Sequence, residues 1–199
     1  YGVSSVDATN YSVASTGSTT ANITPRTLNV YYTGVDRVYD GSLGASVTTT
    51  DDRVLNDVLS IARTASFADK NVGLNKAVSV SGVSLSGTDV NNYTLATTTG
   101  STRATITARP LTLAYIGINK TYDGLLSATV STDPTAASGY VNGDVLTVNR
   151  TATFVDKNVA YSSGSVVPVN INVTGVSLGG ADAANYQVVD SNGIATTIG

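Results

Sequence analysis

Cysteine, histidine, methionine, tryptophan and glutamate are all missing from this 199-residue sequence, and glutamine occurs once, at Gln187. Without cysteine there is no disulfide framework, and without cysteine and histidine the usual zinc and copper ligands are gone. A Ser-His-Asp triad lacks its base, paired-carboxylate sites lack any glutamate, and no glycine-rich phosphate loop precedes a helix. An enzyme is therefore not expected. Positive charge is also scarce, with 11 Lys and Arg against 14 Asp, a net charge of −3 and a pI near 4.6. No basic stripe is available to neutralise phosphates, which excludes a nucleic-acid partner. No apolar run is long enough to span a bilayer and no signal peptide is present, so membrane insertion is not expected.

The residues that are present favour strands and turns. Threonine is the commonest, with 30 copies, followed by Val, Ser, Ala, Gly and Asn. Residues that dress helix surfaces are rare, so the sequence predicts an all-β fold. Apolar residues make up 41% of the chain, enough for a packed core at this low net charge.

The chain also says nearly the same thing twice. Asp57-Val-Leu-Ser-Ile-Ala-Arg-Thr-Ala-Ser-Phe-Ala-Asp-Lys-Asn-Val72 returns without a gap as Asp144-Val-Leu-Thr-Val-Asn-Arg-Thr-Ala-Thr-Phe-Val-Asp-Lys-Asn-Val159, identical at 11 of 16 positions. Tyr39-Asp40-Gly41 returns as Tyr122-Asp123-Gly124, Val83-Ser-Leu-Ser-Gly87 as Val176-Ser-Leu-Gly-Gly180, and Asn92-Tyr93 as Asn185-Tyr186. A period this long exceeds a solenoid turn, so each copy is expected to be a small domain. The predicted division is 1–26, the C-terminal part of a preceding copy, then 27–109 and 110–199 as full copies. On that division the chain is a piece of a longer array.

Period-2 alternation places strands at Leu28–Tyr32 and Leu111–Tyr115, at Val58–Phe67 and Val145–Phe154, and at Val78–Leu85 and Val169–Thr174. Ile194–Ile198 is expected to close the second copy. Gly87–Asn92 and Gly180–Asn185 have room for one 3₁₀ or α turn only. No Gly/Ser linker separates the copies: Ala104-Thr-Ile-Thr-Ala-Arg-Pro-Leu-Thr-Leu-Ala-Tyr115 runs from a last strand into a first strand, stiffened by Pro110. The expectation is tandem small antiparallel β-sandwiches of the immunoglobulin type in an end-to-end rod. The alternative is β-grasp-like repeats with small mixed sheets.

Tyr-Asp-Gly, then Phe-x-Asp-Lys-Asn-Val, then Ser-Leu-x-Gly with Asn-Tyr, and the closing Ile-Thr-x-Arg-x-Leu resemble the YDG-type repeats of large bacterial surface proteins. Those repeats are related to the MBG repeats of adhesins. The resemblance covers both copies and the leading fragment. It implies an extracellular, tandemly repeated β-domain at the bacterial cell surface, in a filamentous, secreted or adhesin-like protein serving cell adhesion or biofilm formation, with no enzymatic activity. The second copy departs by about ten extra residues, near Asp133–Gly139 and at Tyr161–Pro168.

Candidate sites are few. Tyr39-Asp40-Gly41 and Tyr122-Asp123-Gly124 read as tight turns, with ligand contact as the alternative. Asp69-Lys70-Asn71 and Asp156-Lys157-Asn158 read as solvated Asx turns. Lys70 with Asn92, or Lys157 with Asn185, would alternatively form an isopeptide bond, given a neutral lysine in an apolar pocket. Asp51, Asp52, Asp57, Asp133, Asp144 and Asp156 are the carboxylates that structural Ca²⁺ would use; no other cofactor is expected. Tyr31, Tyr32, Tyr115, Tyr140 and Tyr161 are candidate stacking residues for a sugar. Tyr140, Tyr161 and Ser163 are the binding candidates carried forward, the last two in the loop special to the second copy. The expected partners are neighbouring repeats of the same chain, with a surface glycan or protein, or self-association by strand addition from residues 1–26, as further expectations.

Overall fold

The computed structural model describes residues 8–12, 16–132 and 138–189. The predicted Ile194–Ile198 strand, most of the leading Gly2–Tyr11 segment and Asp133 lie outside them. The first copy contributes β1 (Arg26–Leu28), β2 (Val30–Val35), β3 (Arg37–Val38), β4 (Ser46–Asp51), β5 (Ser60–Phe67), β6 (Gly73–Ser86), β7 (Tyr93–Leu95) and β8 (Gly100–Thr107). The second contributes β9 (Arg109–Thr112), β10 (Tyr115–Ile118), β11 (Thr129–Thr132), β12 (Thr147–Phe154), β13 (Ala160–Ser162), β14 (Ser165–Val167), β15 (Ile171–Gly179) and β16 (Tyr186–Val189).

The fold is all-β, as composition predicts. Among the described residues helix is confined to single 3₁₀ turns at Ala8–Asn10, Val90–Asn92 and Ala183–Asn185, the last two inside the segments expected to turn once. Among the described residues no helix is long and apolar enough to cross a membrane.

Each copy is built on an antiparallel pair, β5 with β6 and β12 with β15, each carrying a bulge at the same place. The bulge shifts the side-chain alternation, so β6 buries Val78 and Val80 before it and Val83 after it. β8 adds to the other edge of β6 and carries β3 beyond it, in the order β3-β8-β6-β5. The sheets are mixed, which corrects the expected all-antiparallel pairing. β1 runs parallel to β7, β9 parallel to β16, and β3 parallel to β8. Alternation along a strand is the same in either direction, and only the long crossovers between these strands make them parallel. The sheets curl into a half-barrel rather than closing.

The core does not respect the repeat boundary. Tyr39, Phe67, Val78, Val80 and Ile106 of the first copy form one buried cluster with Leu111 and Tyr186 of the second. Leu111 is fully buried, a contribution of roughly 1.5–3 kcal/mol. Leu28, Leu59 and Tyr93, which correspond to Leu111, Leu146 and Tyr186, form a separate, smaller cluster at the other end of the first copy. Only Ala108 separates β8 from β9, so the last strand of one copy delivers the chain directly into the first strand of the next.

Candidate functional site

The polar groups that surround this shared core belong to the motifs that recur in the sequence. Within each copy a tyrosine closes a tight Val-x-x-Asp loop. Tyr186 accepts from the Val141 N–H at 3.0 Å and donates to Asp144 Oδ2 at 2.6 Å. Tyr93 accepts from the Val54 N–H at 2.9 Å and donates to Asp57 Oδ2 at 2.5 Å. The 3₁₀ turn beside it brings a second carboxylate: Asp182 accepts from the Val145 N–H at 2.9 Å, and Asp89 from the Val58 N–H at 2.8 Å. Every copy thus presents a shelf of two aspartates, an asparagine and a tyrosine at its leading end.

At the junction the first copy fills the shelf of the second. Tyr39, at the end of β3, donates to Asp144 Oδ2 at 2.8 Å and is completely buried. Its ring meets that of Tyr186 edge-on, with centroids 5.6 Å apart. Lys70 Nζ lies 2.8 Å from Asp144 Oδ1 and 3.0 Å from Asp182 Oδ1. Asn185 is buried; its Oδ1 accepts from the Val72 N–H at 2.9 Å, and its Nδ2 donates to Asn71 Oδ1 at 3.2 Å. Arg109 donates from Nε to the Gly139 carbonyl at 2.7 Å and from Nη1 to the Tyr39 carbonyl at 3.4 Å. Gly41 has φ of +78°, and a Cβ there would stand 2.7 Å from Val141 Cγ1. The Tyr-Asp-Gly turn therefore touches the next copy where only glycine leaves room.

The electrostatics favour a closed ion pair. Burial pushes the Asp144 carboxyl up, but hydrogen bonds from Lys70, Tyr186 and Tyr39 outweigh it and hold the group below its ordinary value. Hydrogen bonding to Asp144, then to Tyr39 and Asp182, holds Lys70 well above the usual lysine value. Burial and the Asp144 contact push Tyr186 up to about 12. Lys70 is thus an ammonium held between carboxylates, not the neutral amine that amide formation needs. Its partners are Asp144 and Asp182 rather than Asn92, and Asn185 serves Asn71 and Val72 rather than Lys157. The isopeptide expectation is corrected on both counts.

The turns have the local form the motifs suggest. Asp40 and Asp123 accept from the N–H two residues on, at 2.8 and 2.9 Å, and so do Asp69 and Asp156, both at 2.9 Å. Gly124 has φ of +76°, matching Gly41. What differs is the surroundings: Tyr122 is 58% exposed, and Lys157 and Asn158 lie in solvent.

The calcium carboxylates are scattered. Asp51 binds Arg53, Asp52 accepts from Asn29, Asp57 holds Tyr93, Asp144 is at the junction and Asp156 closes its own turn. Among the described residues no three metal-ligating side chains gather. Tyr140 is 45% exposed. Tyr161 faces Val166 across the β13–β14 hairpin, both about two-thirds exposed, and Ser163 sits in its two-residue turn. The loop special to the second copy is thus a protruding ribbon. Asp182 escaped sequence reasoning, although its Gly-x-Asp context recurs at Gly87-Thr-Asp89.

Neither curated proteins nor solved structures gave a match to this chain. A family model described as the YDG domain matches it twice, over residues 24–100 and 107–193. Those two stretches take in the Tyr-Asp-Gly turns, the Asp-Lys-Asn turns and the aspartate shelves of both copies, and the chain belongs to the YDG domain family.

Proposed function

We propose that this chain is a non-enzymatic, load-bearing segment of an exported, adhesin-like repeat array at the bacterial cell surface. The observation that carries this is the junction: Tyr39 and Lys70 of one copy close on Asp144 of the next, over a shared apolar core. The same motifs that define a copy also join it to its neighbour, so repetition produces a stiff connection rather than beads on a string. Cysteine-free, Thr- and Asn-rich composition supports an exported setting.

The absence of native cysteine gives a clean test. Leu55→Cys and Val166→Cys, one exposed site in each copy, accept spin labels without background. A stiff junction gives a narrow distance distribution that broadens when Asp144→Ala is added. A broad distribution in the labelled parent would sink the proposal.

The exposed Tyr161–Val166 pair favours a second reading, in which the β13–β14 hairpin contacts a surface glycan or protein. Replacing residues 161–168 with the shorter connection of the first copy should remove glycan-array binding. Unchanged binding would exclude the hairpin.

A further inference from the structure

Two exposed residues sit at the tip of a turn whose flanks both belong to the junction. Val141-Asn142-Gly143-Asp144 is closed by the Asp144 N–H, which donates to the Val141 carbonyl at 3.2 Å. Val141 packs beside Gly41 and gives its N–H to Tyr186. Asp144 holds Tyr39, Tyr186 and Lys70. Asn142 and Gly143, between them, are open to solvent. Among the described residues neither the Asn142 side-chain amide nor the Gly143 N–H has a hydrogen-bond partner. Gly143 has φ of +91°, and nothing lies within 4 Å of where its Cβ would stand. Without a side chain it takes either hand of φ, so the peptide it shares with Asn142 is free to rotate. That rotation carries the Gly143 nitrogen against the Asn142 side-chain carbon.

Neighbouring asparagines are protected from the same approach. The first copy builds the equivalent turn from Val54-Leu55-Asn56-Asp57, with Asn56 at φ of +77°. There the attacking nitrogen would be that of Asp57, and its N–H is bonded to the Val54 carbonyl at 3.2 Å. For Asn71 it would be that of Val72, which is bonded to Asn185 Oδ1 at 2.9 Å and carries a stiff, branched side chain. Asn-Gly occurs twice in the sequence, and the second pair, Asn192-Gly193, lies outside the described residues.

We infer that Asn142 is a site of spontaneous deamidation, which loosens the junction as the chain ages. The Gly143 nitrogen bonds to the Asn142 Cγ, its proton leaves with the amide nitrogen as ammonia, and a succinimide ring closes. Water then opens the ring at one of its two carbonyls. Opening at Cγ leaves an aspartate and an unchanged backbone. Opening at the main-chain carbonyl leaves an isoaspartate, whose chain runs through Cβ and Cγ and is longer by one carbon. The longer turn no longer holds the Val141 N–H on Tyr186 while it keeps the Asp144 carboxylate on Tyr39 and Lys70. This loosening presupposes the stiff connection proposed above, and the experiment tells the two apart.

The full chain is kept folded in mildly alkaline buffer and sampled over weeks, both unlabelled and spin-labelled at Leu55→Cys and Val166→Cys. Trypsin separates the sites: Asn56 falls in Val54–Arg63, Asn142 in Thr121–Arg150 and Asn192 in Asn158–Gly199. Mass spectrometry is expected to find the amide-to-acid gain in Thr121–Arg150, with isoaspartate the larger share, and none in Val54–Arg63. The spin-label distance, narrow at the start, should broaden in step with the isoaspartate. Asn142→Gln, which would need a six-membered ring, should stay narrow throughout. So should Asn142→Asp, which has the charge without the longer backbone. In the unlabelled chain, Leu55→Asn with Asn56→Gly should make Val54–Arg63 convert as well. A position 142 that keeps its amide in the folded chain, for as long as the urea-unfolded chain takes to convert, overturns the inference. A distance that stays narrow after isoaspartate has formed overturns it too. A distance already broad before any conversion overturns the stiff junction first, and the loosening with it.

Discussion

Asp144 concentrates the junction's polar energy in one carboxylate that is 3% exposed. Asp144→Ala leaves two buried hydroxyls, Tyr39 and Tyr186, without an acceptor, a cost of about 2–6 kcal/mol at roughly 1–3 per orphaned group. Asp57→Ala, the same change in the first copy, orphans Tyr93 alone and should cost about 1–3 kcal/mol. Urea unfolding of both variants measures the difference, and equal losses would count against the junction. The pH dependence follows from the directions of the shifts. Asp144 is held low when folded, so its contribution is present above the unfolded carboxylate pKa near 4 and is lost as pH falls through the lower folded value. Asp144→Asn should therefore flatten the acid limb of the stability curve below about pH 4. Tyr186 runs the opposite way. Raised to about 12, it contributes stability that is fully present below about pH 10 and lost as pH rises through 12, a limb that Tyr186→Phe should remove.

At the scale of the element, the two Tyr-Asp-Gly turns form a natural control pair. Gly41 and Gly124 share the left-handed backbone, so alanine strains both by about 1–2 kcal/mol. Only at Gly41 does the new Cβ meet Val141; at Gly124 nothing lies within 4 Å. Gly124→Ala should cost about 1–2 kcal/mol. Gly41→Ala adds an overpacking penalty of roughly 1–3 kcal/mol to the same strain, read from the shift in melting temperature. The contrast marks what the sequence could and could not show. The alternation around Val58–Phe67, the single-turn segments before Asn92 and Asn185, and the Asx turns at Asp40 and Asp69 are all local, and their residues carry the signal. The junction is not local. Tyr39 lies 105 residues from Asp144, and Val72 lies 113 from Asn185. Asp144 and Asn185 each also close a turn within their own copy, which hides their second role. The one clue was economy: a turn alone does not require the same lysine, asparagine and tyrosine in both copies. Parallel pairing was hidden for another reason, since the side-chain alternation of a strand is the same in either direction.

For the whole molecule the consequence is cooperativity. Two domains joined by a flexible linker unfold as two independent units, each with its own midpoint. Here the trailing core of the first copy and the leading core of the second are one cluster, and the ion pair at Asp144 closes over it. Opening one copy exposes Leu111 and Tyr39 and strands the junction carboxylate, so the neighbour loses stability in the same event. Calorimetry at neutral pH should therefore show one transition, with calorimetric and van't Hoff enthalpies in agreement. The Asp144→Ala change should split it into two, because the junction then keeps only the apolar contact, the Lys70–Asp182 pair and the Asn185 hydrogen bonds. Lowering the pH through the folded value of Asp144, which lies below the ordinary carboxylate range, should split the wild-type transition in the same way, as the carboxylate protonates and releases Lys70. Two transitions in the unmodified chain at neutral pH would mean that the contacts form without coupling the copies. Force spectroscopy carries the argument to the array: coupled copies should extend in steps larger than one repeat, and the Asp144→Ala chain in steps of one.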